Sequence, residues 1–350
     1  MIGDSGRLND ARRLFQTITN PVKTISAPKS VKYRSLAKRR FGVELEINNS
    51  VDKLHVADVI SEYSDRKIRV SNWAQSVAND YWHIKSDATC GIIGRGYDKG
   101  WEIASFVGRG EDDIQHIGMI AQALSFAGCE VNENCGLHVH VEVSDFDAYQ
   151  MGILLGHYAK WEDALLDFVP KHRHKNPFCV NLSELFDVYD RRDYWSPAEM
   201  WLWLKPECHS PHNNPYRWRS VNLVNFSLGI LNPKWERKTI EFRIPECSLV
   251  DYDVRNWIRL FVNFVEWAKH QAMPEDIESC LPLGFDLQAL DHMGLGHDSD
   301  TFCIFDKELF NAKTWLLRRY IRFRTLTTSD MSLLPKQMLN EMWNPERNFA

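Results

Sequence analysis

With 350 residues, 44% of them hydrophobic and 25% charged, the chain has apolar mass for one large domain or two ordinary ones, and its composition is neither disordered nor fibrous. No apolar run reaches the length of a membrane span, and the N-terminus has no signal-peptide core, so no membrane partner is expected. The net charge of −5 is uneven: residues 1–40 stand at +8, which leaves −13 on the rest and argues against a dedicated nucleic-acid groove in the body.

Residues 1–37 read as a basic arm, either a solvated leader or a contact for an acidic partner. A domain is expected over 38–270, with a loop insertion at 170–218, followed by a helical extension over 271–350 packed on the same domain. In chain order, 41–48 reads as a strand and 54–79 as one or two helices. "YWHIKSDAT" (81–89) and "WEIASF" (101–106) read as strands around the glycine-rich turn "GIIGRG". That turn does not open a helix, so it is no dinucleotide fingerprint. Acidic residues at 111–113 and Gly128 bracket a helix, "GLHVHVEV" (136–143) is a strand, and a long helix follows over about 145–169. The His-, Pro- and Asn-rich stretch 170–218 reads as loops. His172, His174, Cys208, His209 and His212 within it are better read as loop residues than as a second metal site. Strands are expected at 219–226 and 238–246, and helices at 252–270 and near 307–323. Eight cysteines without C-x-x-C spacing point to reduced thiols and a cytoplasmic protein. The whole reads as α+β, with a mainly antiparallel sheet backed by helices on one side.

Three of these strands share one design. "FGVELEI" has Phe41, Val43, Leu45 and Ile47 on one face and Glu44 and Glu46 on the other. "GLHVHVEV" puts Leu137, Val139, Val141 and Val143 opposite His138, His140 and Glu142, and "TIEFRI" puts Ile240, Phe242 and Ile244 opposite Glu241 and Arg243. Side chains on a strand repeat every two residues, so each strand offers an apolar back and a polar i, i+2 pair in front. Taken singly, such pairs are ordinary on solvated strands. If the strands share a sheet, the carboxylates repel unless a cation neutralises them, and carboxylate with imidazole suits Mg²⁺ or Mn²⁺. Arg243 beside Glu241 is suited to a phosphoryl group. Glu102 and Asp87 fall on two further strands and can join the same surface, and Glu142 is expected further along it, near the rim.

The ordered set "FGVELE", "W-x-I-x-S-D-A-T", "G-W-E-I-A-S", "VNENCGLHVHV" and "TIEFR", over about residues 38–265, resembles the amidoligases of the carboxylate–amine ligase superfamily, which includes glutamine synthetase and glutamate–cysteine ligase. The resemblance implies a curved antiparallel sheet forming a glutamine-synthetase-like catalytic funnel for ATP and Mg²⁺ or Mn²⁺, and the chain has no P-loop sequence. Carried over motif by motif, it implies metal ligands at Glu44, Glu46, Glu102, His138 and Glu241. It places His140 near the nucleotide phosphates and Arg243 on the transferred phosphoryl. Two departures stand out: Asp87-Ala88-Thr89 replaces the family's D-G-S, and 170–218 has no counterpart.

The implied reaction is ATP-dependent amide-bond formation, in which a substrate carboxylate is activated as an acyl phosphate and then attacked by an amine. Besides Arg243 and Glu46, Asp87 is the candidate for binding or deprotonating the amine, and Arg219 and Asn222 are candidate nucleotide or substrate contacts. Arg219 reads equally well as a structural ion-pairing arginine. The substrates, an acid and an amine, would be amino acids, peptides or small metabolites. Two other classes compete: a nucleotide-independent metalloenzyme using the H-x-H and Glu set, and a non-catalytic nucleotide-binding relative.

Overall fold

The computed structural model describes residues 39–71, 80–92, 99–166, 168–182, 215–231, 234, 238–271, 315, 319, 322 and 323. The basic arm, most of the C-terminal extension, and Cys208, His209 and His212 lie outside the described residues.

Strand β1 (Arg40–Ile47) sits at the middle of a mixed, mostly antiparallel open sheet. It is flanked by β4 (Gly100–Ala104) on one side and β6 (Leu137–Glu142) on the other, both antiparallel to it. Outside β4 lie β3 (Trp82–Asp87) and β2 (Ile68–Ser71); outside β6 lie β8 (Thr239–Phe242) and β7 (Val221–Asn222). The short β5 (Gly108–Arg109) pairs with the start of β1.

Five helices accompany the sheet among the described residues: α1 (Lys53–Tyr63), α2 (Gly110–Phe126), α3 (Ala148–Leu166), α4 (Val224–Leu231) and α5 (Asp251–Ala268). None of them is long and apolar enough to cross a membrane. Helix α2 begins with Glu111, Asp112 and Asp113 in its first turn, where the helix dipole favours them, and Gly128 at φ +84° takes the left-handed conformation just beyond its end.

The back of the sheet is mostly apolar. Val43, Leu45, Val139, Val141, Ile103, Ile84, Ile240 and Phe242 are all buried, and they pack in one core with the helical stripe Val254, Trp257, Ile258, Phe261 and Val265 of α5. Phe242 stacks on Phe261 at 4.2 Å between ring centroids, and Trp257 on Phe261 at 5.5 Å. The back layer therefore fixes the strands, and through their pleat it fixes what stands on the front.

Two elements differ from the sequence reading. Within 54–79 the described residues, to Ser71, form one helix to Tyr63 and then β2, which makes the one parallel pairing of the described sheet, with β3; 72–79 lie outside the described residues. Ser64 leaves helical geometry and accepts a hydrogen bond from the buried Trp82 indole at 3.2 Å, which ends the helix, and β-branched Ile68 and Val70 favour the strand that follows. Likewise 219–226 keeps only Val221–Asn222 as strand. The Asn222 side-chain oxygen accepts the Val224 N–H at 2.9 Å, and this turn starts α4 in a run whose apolar residues suit either structure.

Candidate active site

Registry brings the polar pairs together. Across β1 and β6, Glu44 lies opposite His138; across β6 and β8, His140 lies opposite Glu241, which in turn faces Asn222 on β7. On the other side Glu46 lies opposite Glu102, and Glu102 opposite Lys85 on β3. Directly paired residues share a face of the sheet, so one surface carries all of them, with Asp87 two residues beyond Lys85.

His138 stands at the centre and is 3% exposed. Its Nδ1 is 3.3 Å from Glu44 Oε2 and 3.3 Å from Glu241 Oε1, while its Nε2 is 3.5 Å from Glu46 Oε1. The other Glu44 oxygen lies 3.4 Å from His140 Nε2. Two sets of potential ligand atoms result, Glu44–His138–Glu241 and Glu46–Asp87–Glu102, and within each set the atoms lie no more than 4.8 Å apart. Oxygen donors with a single imidazole form a hard-to-borderline set, which fits Mg²⁺ or Mn²⁺.

Cations border the carboxylates on both sides. Arg243, just past β8, pairs with Glu241 through Nη1 and donates from Nε to the Phe178 carbonyl at 3.1 Å. Lys85 Nζ is 2.5 Å from Glu102 Oε1. Burial favours the neutral acid at Glu44, but the charges of His140 and Lys85 and the His138 contact outweigh it and hold this carboxyl well below the usual range. At Glu241 burial is likewise outweighed, by Arg243 and the two imidazoles, and its pKa is lowered. Glu102 behaves in the opposite way: burial, reinforced by the Glu44 charge, lifts it well above the usual value despite Lys85. Burial also raises Glu46, with the Asp87 charge adding to it, against His138 and the Gly136 N–H.

The remaining candidates are held in specific ways. Asp87 accepts both the Thr89 N–H at 2.6 Å and the Thr89 hydroxyl at 2.5 Å, so the Asp-Ala-Thr sequence closes a turn that fixes this carboxylate at the end of β3. Asn222 donates to Glu241 Oε2 at 2.6 Å and so orients that carboxylate. Arg219 donates from Nη1 to the Asn181 carbonyl at 3.1 Å, at the β7 edge. Glu142 shares the face of His138 and His140 but pairs with Arg40 at 2.6 Å, away from the cluster.

Three contributors were not singled out from sequence. Lys85 carried a signal in the alternation of "WHIKSD", which places it on the face of Asp87. Arg173, within the His-rich stretch, is 2% exposed and donates to the Arg243 carbonyl at 2.6 Å and the Ile244 carbonyl at 3.3 Å, bracing the chain after β8. Gly136 donates its N–H to Glu46 Oε2 at 2.6 Å, and a Cβ there would lie 2.8 Å from His138 Nε2 and 3.3 Å from Glu46 Oε2. A Gly136→Ala substitution is therefore expected to push the imidazole aside and, for the divalent-ion site proposed below, to weaken Mn²⁺ binding about tenfold or more while the thermal transition persists. Titration of Mn²⁺ into both proteins checks this, and equal affinities would refute it.

A family model described as "Putative amidoligase enzyme" matches residues 37–265. A search of curated proteins finds no match to the chain.

Proposed function

The chain belongs to this amidoligase family, and we propose that it forms amide bonds between a carboxylate and an amine at the expense of ATP, through an acyl phosphate. The observation that carries this reading is the convergence of Glu44, His138 and Glu241 into one ligand set with Arg243 beside it. In this reading the polar face lies in a curved, glutamine-synthetase-like funnel. Glu44, His138 and Glu241 hold a divalent ion there, and Glu46, Asp87 and Glu102 form a second set of the same donor chemistry. Bound Mg²⁺ or Mn²⁺ supplies charge neutralisation for the phosphates.

The chain's own residues do the rest. Arg243 is held from two directions, by Glu241 and by the Phe178 carbonyl, and it offers its remaining donors to the transferred phosphoryl. His140, with Nε2 3.4 Å from Glu44, would border the nucleotide phosphates, and Asn222 orients Glu241, which would help to hold the ion. Asp87 or Glu46 receives the proton of the attacking amine, and Arg219 borders the nucleotide or substrate at the β7 edge. The acid and amine are amino acids, peptides or small metabolites. A cytoplasmic location belongs to the same proposal, supported by five buried free thiols, at Cys90, Cys129, Cys135, Cys179 and Cys247.

The test is the melting temperature with ATP plus Mg²⁺ or Mn²⁺, against ADP, metal alone and buffer, for the wild type and Glu241→Ala. Ligand at a hundred times its dissociation constant adds about 2.7 kcal/mol, read as a rise of a few degrees. The expected result is a metal-dependent rise with ATP that the substitution abolishes. A rise with metal alone and no further rise with ATP would support the nucleotide-independent metalloenzyme, and no rise in any condition would overturn the ATP reading.

A further inference from the structure

We propose that Lys85 is a built-in cation of the site that takes the place of one divalent ion, so that the protein binds a single Mg²⁺ or Mn²⁺ at Glu44, His138 and Glu241. The inference rests on the metal-binding reading above and deepens it.

Lys85 is not a surface lysine that wanders: β3 places it directly opposite Glu102, its side chain is only 20% exposed, and its ammonium lies 2.5 Å from Glu102 Oε1. It faces the Glu46–Asp87–Glu102 set, whose ligand atoms lie within 4.8 Å of one another. A divalent ion centred among those atoms would sit a few ångströms from the ammonium, and both would compete for the same Glu102 carboxylate. An ammonium has three N–H donors and seeks oxygen acceptors, the same preference as a hard cation, so an all-oxygen set can be served by Lys85 itself.

The other set is different in kind. It contains the His138 imidazole between two carboxylates, and a mixed nitrogen–oxygen set is served by Mn²⁺. Its neighbouring cation, Arg243, also has the Phe178 carbonyl as a second anchor, so the guanidinium does not depend on Glu241 alone. Charge points the same way. With the carboxyls fully ionised and the imidazoles neutral, as cation ligation requires, Glu44, Glu46, Asp87, Glu102 and Glu241 bring five negative charges to one face, and Lys85 and Arg243 return two. One divalent ion brings the face close to neutrality before a nucleotide arrives.

The measurement is Mn²⁺ bound per chain by equilibrium dialysis on the full-length protein, without nucleotide, for wild type, Lys85→Met, Lys85→Arg, Glu102→Gln and Glu44→Gln. The expected result is one ion for wild type and Lys85→Arg and two for Lys85→Met. Glu44→Gln should bind at least tenfold more weakly, and Glu102→Gln should keep the single ion. The last comparison decides the matter if Lys85→Met does not fold. Two or more ions in the wild type, or loss of the ion in Glu102→Gln, would overturn the Lys85 assignment while leaving ATP-dependent stabilisation intact. Absence of both Mn²⁺ binding and ATP-dependent stabilisation in the wild type would overturn the ligase reading and this inference together.

Discussion

Replacing Arg39 with methionine is expected to remove about 3–5 kcal/mol of folding stability, seen as a lower urea midpoint at unchanged slope. Arg39 is fully buried where the chain enters β1. Its Nε lies 2.6 Å from Glu266 Oε2 on α5, its two terminal nitrogens reach the Asp145 carboxylate at 3.0 and 3.1 Å, and Nη1 donates to the Glu142 carbonyl at 2.5 Å. One guanidinium thus ties the start of β1 to the end of β6 and to the last turns of α5. Methionine keeps most of the volume but leaves two carboxylates without the guanidinium, and Lys269, 2.7 Å from Asp145, and His270, 3.9 Å from Glu266, compensate for it only in part.

The same network sets the acid limit of the fold. Burial alone would raise the Glu142 carboxyl, but hydrogen bonds from Arg40 and Ser144 bring it down to about 2. Asp145 is held well below its usual value by Arg39 and Lys269, again against burial. Between the ordinary carboxylate range and these depressed values the unfolded chain binds more protons than the folded one. The stabilisation from these groups is therefore complete above about pH 5 and is lost as the pH falls toward 2. Urea midpoints should be similar at pH 7 and 5 and lower at pH 3.5 for wild type, with a smaller drop for Arg39→Met. Parallel declines would remove Arg39 as the cause.

Strand alternation made much of the site legible. Each apolar back implied its polar front, so Glu44, Glu46, His138, His140 and Glu241 were readable without knowing which strands touched. What alternation does not encode is the partner: only the paired order β3-β4-β1-β6-β8-β7 sets Glu102 between Glu46 and Lys85 and brings the lysine to the candidate site. Arg173 was hidden for a different reason. Its task is to donate to main-chain carbonyls, and carbonyls leave no trace in a sequence. The parallel strand β2 was hidden by a local pattern that fits helix and strand alike, and what decided it was the Trp82–Ser64 contact between residues 18 positions apart.

In the proposed ligase reaction, changing Arg243 to lysine is expected to lower ATP-dependent phosphate release, with an accepted acid and amine present, by about 10²–10³-fold, with most of the loss in kcat and little in KM for the acid. The substitution keeps the charge, so the test isolates geometry. A guanidinium can bond Glu241 and the Phe178 carbonyl and still direct donors at a phosphoryl oxygen, whereas an ammonium on a flexible stem cannot hold all three directions. An ion pair with Glu241 survives in the variant, so stability should fall by only about 1 kcal/mol, the worth of one lost hydrogen bond. A large loss of activity with a near-normal melting temperature identifies Arg243 as the group on the reacting phosphoryl. Activity within a factor of three of wild type would assign that role elsewhere, with Lys85 the next cation on the same face to test.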